Sequence, residues 1–406
     1  MGLGTIVFRK AMVTTTLEDE RTWEVETGIP IRDFSMDVFQ DLIVIVCYRN
    51  TGLERQVRFH SMSTGKDHPL ARRPVVEIKA TEPRLTSCNI AINNDVVGII
   101  FQDQIVHSNQ RLDANVLAVW AWKSGDLLLY LPSNLDNVVD SLSFLSPNHV
   151  LVGWRALFHR EAQNMHEKSS LDVYDLSRGA EASPIKRFLL PELDEAATVL
   201  EFTICCDSTP TPSQHCPRPF YASPDHKICK IQIVFGYQLS GLMMRESPIS
   251  LFLFTHVFLQ EYGPSVTPPD ETMETIIVPW DQWGNNTRTT LWNPAESVYN
   301  ICVNGSRVIR KIPTNVPNRF KLQLCDFNPY AISSIESLPG KPTSNYRYVH
   351  PSHDNVLEMR VFKQKVYSPL PYLEITTKKS FEAHDVMLDH DNIYLVRTRE
   401  IEVLSF

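Results

Sequence analysis

The chain has 406 residues, of which 43% are apolar and 21% charged, a balance that fits a packed globular protein and excludes a disordered one. Its 39 Lys and Arg stand against 47 Asp and Glu, for a formal net charge of −8. That sign argues against non-specific nucleic-acid binding and against anionic membrane surfaces, because both need a cationic face.

The basic pairs Arg72–Arg73 and Lys378–Lys379 are too small to reverse this balance. Cysteines occur at 47, 88, 205, 206, 216, 229, 302 and 325, several of them inside apolar runs where a thiol acts as a small buried hydrophobe. They do not form the dense framework of a short secreted domain. The N-terminal MGLGTIVFRKAMVTTT lacks an apolar signal core with a small-residue cleavage site, and no run reaches membrane-spanning length. The expected location is therefore cytoplasmic or nuclear, with no membrane and no nucleic-acid partner.

In chain order, short strands recur in units. The first reads IRDFSMD, QDLIVIVCYRN and QVRFHSMSTG; the second reads RLTSCNIAINND, VVGIIFQD and VLAVWAWKSGDLLLYL. The third reads VVDSLSFLSPN, HVLVGWRA and SLDVYDLSRG, and the fourth VLEFTICCD, KICKIQIVFGYQL and ISLFLFTHVFLQ. RTTLWNP, VYNICVNGSRVIRK and RFKLQLCDFN make a fifth, and AHDVMLDHD, NIYLVRT and EIEVLSF a sixth. A run such as LIVIV is apolar on both faces, as in a strand sandwiched between sheets. SLDVYDL alternates, as nearer an edge. Asp, Asn and Gly supply the turns between them. The best helix candidate, around Pro191 to Thr198, is short and could equally be a loop.

Units start near residues 31, 85, 138, 199, 288 and 383. A four-stranded propeller blade takes roughly 40–45 residues, so six blades leave room for insertions at Ser208–His226, Gly263–Thr272 and Ser333–Tyr346. Leu357 to Ile375 offers strands for a seventh. The expected fold is all-β: a propeller of six four-stranded blades, with a seventh open, spanning residues 21–406 as one domain behind a tail of residues 1–20. RTWEVETG and EIEVLSF are the expected closing pair, joining the N- and C-terminal strands and removing an open edge. A large β-sandwich or two small β-domains is the alternative.

TWEVETG, QDLIVIV, HSMSTGKDHPLA, VLAVWAWKSGDLL with SFLSPNHVLVG, and DHDNIYLV with IEVLSF together resemble the C-terminal, WD-repeat-like propeller region of fungal F-box proteins. The resemblance covers the chain from about residue 21, and its motifs are strand-and-turn patterns. It implies a substrate-holding propeller whose F-box, upstream in that family, docks a Skp-type adaptor of a ubiquitin ligase. Residues 1–20 lack the Leu-Pro start and amphipathic helices of an F-box. A Skp-type adaptor is thus a partner only if an F-box lies upstream.

No phosphate loop, dinucleotide fingerprint, nucleophile elbow or His-Glu-x-x-His pair is present. Cys205, Cys206, His215, Cys216 and Cys229 do not have zinc-knuckle spacing, and on a strand Cys205 and Cys206 would point to opposite faces. Asp389-His390-Asp391, between two apolar strands, reads as a turn rather than an acid/base site. The sequence thus predicts no enzyme, no metal and no cofactor. The expected function is protein–protein interaction with a partner the sequence does not name; the alternative is a propeller hydrolase with an acidic central channel. The expected contact residues are Trp154 and Arg155 with His159 and Arg160 in one loop, and Tyr237, Met243, Met244 and Arg245 in another. Trp280, Asp281 and Trp283 of WDQW lie in a connection. Aromatics, Met and Arg dominate binding hot spots, and two tryptophans beside Gly284 and two Asn are not expected to be fully buried.

Overall fold

The computed structural model describes residues 5–9, 22–26, 28, 30–48, 54–79, 85–107, 110–134, 136–157, 169–207, 226–239, 242–245, 248–262, 275–291, 302–336, 346–350, 356–357, 359–389, 391–398 and 400–405. The chain is mostly β, built of antiparallel meanders. It divides into two compact units: Met1–Val139, Ser146–Val150 and Asp175–Ser183, and then Asp140–Leu145, Leu151–Tyr174 and Pro184–Phe406.

In the first unit β1 (Thr5–Arg9) pairs with β2 (Thr22–Glu26). The first sheet runs β3 (Ile31–Asp37), β4 (Leu42–Tyr48), β5 (Glu54–Ser61), β6 (Val75–Lys79). The second runs β7 (Leu85–Asn93), β8 (Val96–His107), β10 (Val116–Ala121), β11 (Asp126–Pro132), with β9 (Gln110–Asp113) added to β8. The β4 run LIVIVC is fully buried. Its alternating side chains serve two cores, as its double-faced apolarity requires. Leu42, Val44 and Val46 pack with Val97, Ile99 and Phe101 of the second sheet and with Trp122 in the turn after β10, while Ile43 and Ile45 pack with Ile6, Val25 and Met62. Each such side chain contributes about 1.5–3 kcal/mol on burial.

The HSMSTGKDH corner after β5 is closed by Asp41, which sits at φ 54 and accepts hydrogen bonds from Ser61 Oγ (2.6 Å), Ser63 N–H (2.7 Å) and Ser63 Oγ (2.7 Å). Gly65 (φ 68) and Gly125 (φ 77) turn the chain after β5 and β10, where a Cβ would meet Val25 and Arg73. These are the two Gly turns that the STG and KSGD motifs announce. His68 lies edge-on to Trp122 at 4.7 Å and is held by the Gln40 carbonyl at 3.0 Å.

The third sheet runs β12 (Asn137–Ser146), β13 (His149–Ala156), β14 (Ser170–Asp175), β15 (Lys186–Leu189). The fourth runs β16 (Ala197–Cys206), β17 (Ile228–Leu239), β19 (Ile249–Phe254), β21 (Arg288–Leu291), with β18 (Leu242–Arg245) on β17. Between them β20 (Ile276–Val278) returns parallel to β15 and covers its edge. The fifth sheet has the order β22 (Val303–Asn304), β23 (Arg307–Pro313), β24 (Phe320–Asp326), β28 (Tyr372–Thr376), β25 (Tyr346–Val349). A ribbon of β26 (Val356–Leu357) and β27 (Val366–Tyr367) stands apart, and β29 (Asp385–Leu388), β30 (Asn392–Val396), β31 (Ile401–Ser405) form the sixth sheet. The helices are short: α1 (His256–Leu259), α2 (Trp280–Trp283) and α3 (Pro329–Glu336). One core joins the facing sides of the third and fourth sheets, and another joins the fourth, fifth and sixth.

Four expectations change. RTTL opens no fifth unit; β21 pairs with β19 and completes the fourth sheet. Its polar pattern left the assignment to tertiary contacts, and Arg288 makes them by donating to the carbonyls of Leu370 (2.7 Å) and His350 (3.2 Å). The segment Leu357 to Ile375 contributes the small ribbon of β26 and β27 and then β28, which inserts between β24 and β25 rather than starting a further four-stranded sheet. THVFLQ leaves β19 and coils into α1, whose last carbonyls accept from Lys186 Nζ at 2.8–3.3 Å. The expected closing strand β2 finds a local partner in β1, within the stretch expected to be a tail, and β31 pairs with β30.

The Asp41 corner is testable. Burial alone would raise its carboxyl, but the bonds from Ser61 and Ser63 and the nearby His68 outweigh it and hold the group below its usual range. A depressed folded value means stabilisation present above the unfolded value and lost as pH falls through the folded one. Asp41→Asn, which tolerates the same φ, is expected to cost about 1–2 kcal/mol near neutral pH in urea denaturation. The difference from wild type should vanish below the carboxylate range.

Candidate functional site

An open cleft of about 1220 Å³ lies against the fifth and sixth sheets. Three segments build it: the β23–β24 turn, the connection from β28 to β29, and the β30–β31 turn. In a meander of sheets stacked face to face, turns between second and third strands lie at the same end as connections to the next sheet, and here they converge. The β23–β24 turn is held by Thr314 Oγ1, which donates to the carbonyls of Val316 (3.2 Å) and Arg319 (2.9 Å). Phe320 and Phe381 exchange backbone hydrogen bonds of 3.0 and 2.7 Å and lock the connection onto β24.

Lys311, Arg319, Lys379 and Arg397 line the cleft against two carboxylates, Glu382 and Glu400. Arg397 is ion-paired with Glu400 and Glu402. The other three are held by neutral groups. Lys311 Nζ donates to the His384 carbonyl at 3.0 Å, and Arg319 grips Ser380 through its carbonyl (2.7 Å) and Oγ (3.0 Å). Lys379 lies over the Phe381 ring at 5.3 Å. Their positive charge therefore faces the cleft without a carboxylate among these contacts, in a chain that is acidic overall. At this size the cleft suits an extended chain segment better than a compact small molecule.

The residues expected from sequence to make contacts sit elsewhere in the second unit. Arg155 donates to both oxygens of Asp140 (2.8 and 3.2 Å), and Asp140 also accepts from the Phe202 N–H. Both side chains are largely buried, so this pair is internal. Trp154 Nε1 donates to the Tyr174 hydroxyl at 3.1 Å, bridging β13 and β14. Tyr237 flanks the core of the third and fourth sheets beneath the Arg360 guanidinium at 5.0 Å. Met243 and Met244 are exposed on β18, which also carries Arg245. His159 and Arg160 lie outside the described residues. Within α2, Asp281 is exposed and Trp280 half-buried, but Trp283 is completely buried. That corrects the expectation for WDQW: Trp283 packs edge-on to Phe188 and donates to the Leu189 carbonyl at 3.0 Å, satisfying its indole inside the core.

The other sequence candidates resolve plainly. Among the described residues no group of three or more His, Cys, Asp or Glu is arranged to hold a metal; His215 and Cys216 lie outside them. Asp389 forms the turn between β29 and β30, accepting from the N–H groups of Asp391 (2.8 Å) and Asn392 (2.7 Å) and from the Tyr394 hydroxyl (2.6 Å). Burial and this bond push Tyr394 up to about 12. The cleft cations went unrecognised because they come from three distant segments. Lys379 belongs to the Lys378–Lys379 pair that looked too small to matter.

No family model matches the chain, and no curated protein matches it. Among solved structures, it is similar to the WD40 domain of SCAP from fission yeast, at 8% identity over 100% of this chain and 91% of that one, with a TM-score of 0.30. It is also similar to MPT-1, a GDP-Man-dependent mannosyltransferase from Leishmania mexicana, at 9% identity over 86% and 83%, with a TM-score of 0.25. Likenesses this weak bear on neither fold nor function.

Two substitutions separate structural from surface roles. Arg155→Met leaves Asp140 buried without its cation and should cost about 3–5 kcal/mol, while Asp140→Leu with Arg155→Met should recover much of that loss in a double-mutant cycle. Trp283→Ala should cost about 3–5 kcal/mol and Trp280→Ala clearly less, read by denaturant midpoints.

Proposed function

We propose that this chain is a protein-interaction module of the β-propeller type, and that the cleft beside the fifth and sixth sheets receives an extended, acidic segment of a partner protein. The observation that carries this reading is the convergence of Lys311, Arg319 and Lys379, engaged by carbonyls, a hydroxyl and a ring, in one open cleft of an acidic chain. Opposite charge on a partner would steer association and fix register. Six successive antiparallel meanders, stacked through shared cores within each unit, support a six-bladed, WD-repeat-like propeller. The finer reading, a substrate receptor of an F-box ubiquitin ligase, rests on the strand-and-turn motifs from TWEVETG to IEVLSF.

The hydrolase alternative gains nothing from Asp140, Asp172 and Asp326, since each accepts from an arginine at 2.8–3.1 Å. A fluorescently labelled Glu-rich peptide provides the test. Binding to the wild-type chain should weaken with added salt and fall by roughly tenfold or more in the triple variant Lys311→Glu, Arg319→Glu, Lys379→Glu. Unchanged affinity in that variant would remove the cleft from the function. Co-expression with a Skp-type adaptor tests the ligase reading separately.

A further inference from the structure

The β23–β24 turn brings an apolar rim to the cleft as well as a cation. Pro313, Val316 and Pro317 line the cleft and are exposed, Val316 over 54% of its surface. A lone exposed valine needs no explanation, but this one is fixed beside charge. The segment Val316-Pro317-Asn318-Arg319 closes on itself, the Arg319 N–H donating to the Val316 carbonyl at 3.2 Å. Proline in the second position and Asn318 at φ 59 in the third meet the requirements of a type II turn. Such a turn holds the Cα atoms of its first and fourth residues within about 7 Å. Thr314 clamps it further, its N–H donating to the Arg319 carbonyl at 3.1 Å and its hydroxyl to the same carbonyl at 2.9 Å.

The charges next to this rim are also held in place. Phe320 and Phe381, both buried, face each other across a β-bridge. Lys311 lies over the Phe320 ring at 5.6 Å and Lys379 over the Phe381 ring at 5.3 Å. Arg319 is pinned to the Ser380 carbonyl and hydroxyl. Groups positioned before a ligand arrives lose little freedom on binding it. Exposed charges alone bind weakly and are screened by salt. Covering the apolar rim adds an attraction that screening does not remove.

We propose that the acidic partner segment carries one apolar anchor, seated on Pro313, Val316 and Pro317, with a carboxylate two residues away that meets Arg319. The inference rests on the cleft reading above and specifies the chemistry of the segment. The spacing follows from the turn. An extended chain advances about 3.3–3.6 Å per residue, so residues i and i+2 match a separation of about 7 Å. Their side chains share one face, whereas those of i and i+1 point to opposite faces. The pattern recognised is an apolar residue and an acidic one separated by a single position.

Three labelled peptides of equal charge test this against the full chain by fluorescence anisotropy. The first contains only Glu and Ser. The second carries the core Glu-Ser-Leu-Ser-Glu, and the third carries Ser-Glu-Leu-Glu-Ser, which puts the carboxylates on the face opposite the leucine. The second should bind roughly five- to tenfold tighter than the first, and the third should gain little. Added salt should weaken all three while the advantage of the second persists. Val316→Asn should erase that advantage and Val316→Ile should keep it, with circular dichroism verifying that each variant is folded. A third peptide that matches the second, or an advantage that survives Val316→Asn, overturns the proposal. A first peptide that binds while leucine adds nothing sinks this inference alone. Failure of all three peptides to bind sinks the cleft reading and this inference with it. Self-association of the chain that Val316→Asn abolishes would assign the rim to a second copy and overturn the proposal too.

Discussion

Strands that are apolar on both faces cannot stand at the surface of a sheet pair; each side needs its own layer. In β4 the even and odd side chains enter separate cores. The same division appears in β19, where Leu251 and Leu253 face the third sheet and Phe252 faces the fifth. This double requirement stacks one meander on the next within each unit. The stacking in turn brings second-to-third strand turns and inter-sheet connections to one end, where the cleft forms.

Several charged groups buried among these layers are answered by opposite charge or by a ring. Asp140 meets Arg155, Asp172 meets Arg187, and Arg288 lies over Tyr372, whose hydroxyl donates to Glu374. Burial pushes the Tyr372 hydroxyl up, which keeps it a donor. Removing one member of such a set leaves an unanswered buried charge, which costs far more than the pair itself contributes. Arg155 and Trp283 belong to this internal economy of contacts, and their residue types alone made them look like surface anchors.

The cleft asks little of the fold: two turns and one connection must meet. Three of its cations, Lys311, Arg319 and Lys379, are held by carbonyls, a serine and a ring, while Arg397 is ion-paired with Glu400 and Glu402.

Much of the strand order was legible. Period-two alternation, apolar runs and Gly or Asp turns located β3 to β5, β7, β8, β10 to β14, β16, β17 and β29 to β31, because these signals are local. Cys205 and Cys206 pointing to opposite faces followed from their being on a strand. What β21 and β28 pair with was not legible: β21 depends on partners such as Arg288 with Leu370, and composition carries no record of a partner 82 residues away. The same holds for the site. The sequence by itself determined a β-rich chain of repeated meanders with acidic net charge. Only the tertiary structure decided which aromatics were core, which arginine was answered, and which three segments gathered the cations. Burial and proximity are properties of packed layers, and no window along the chain contains them.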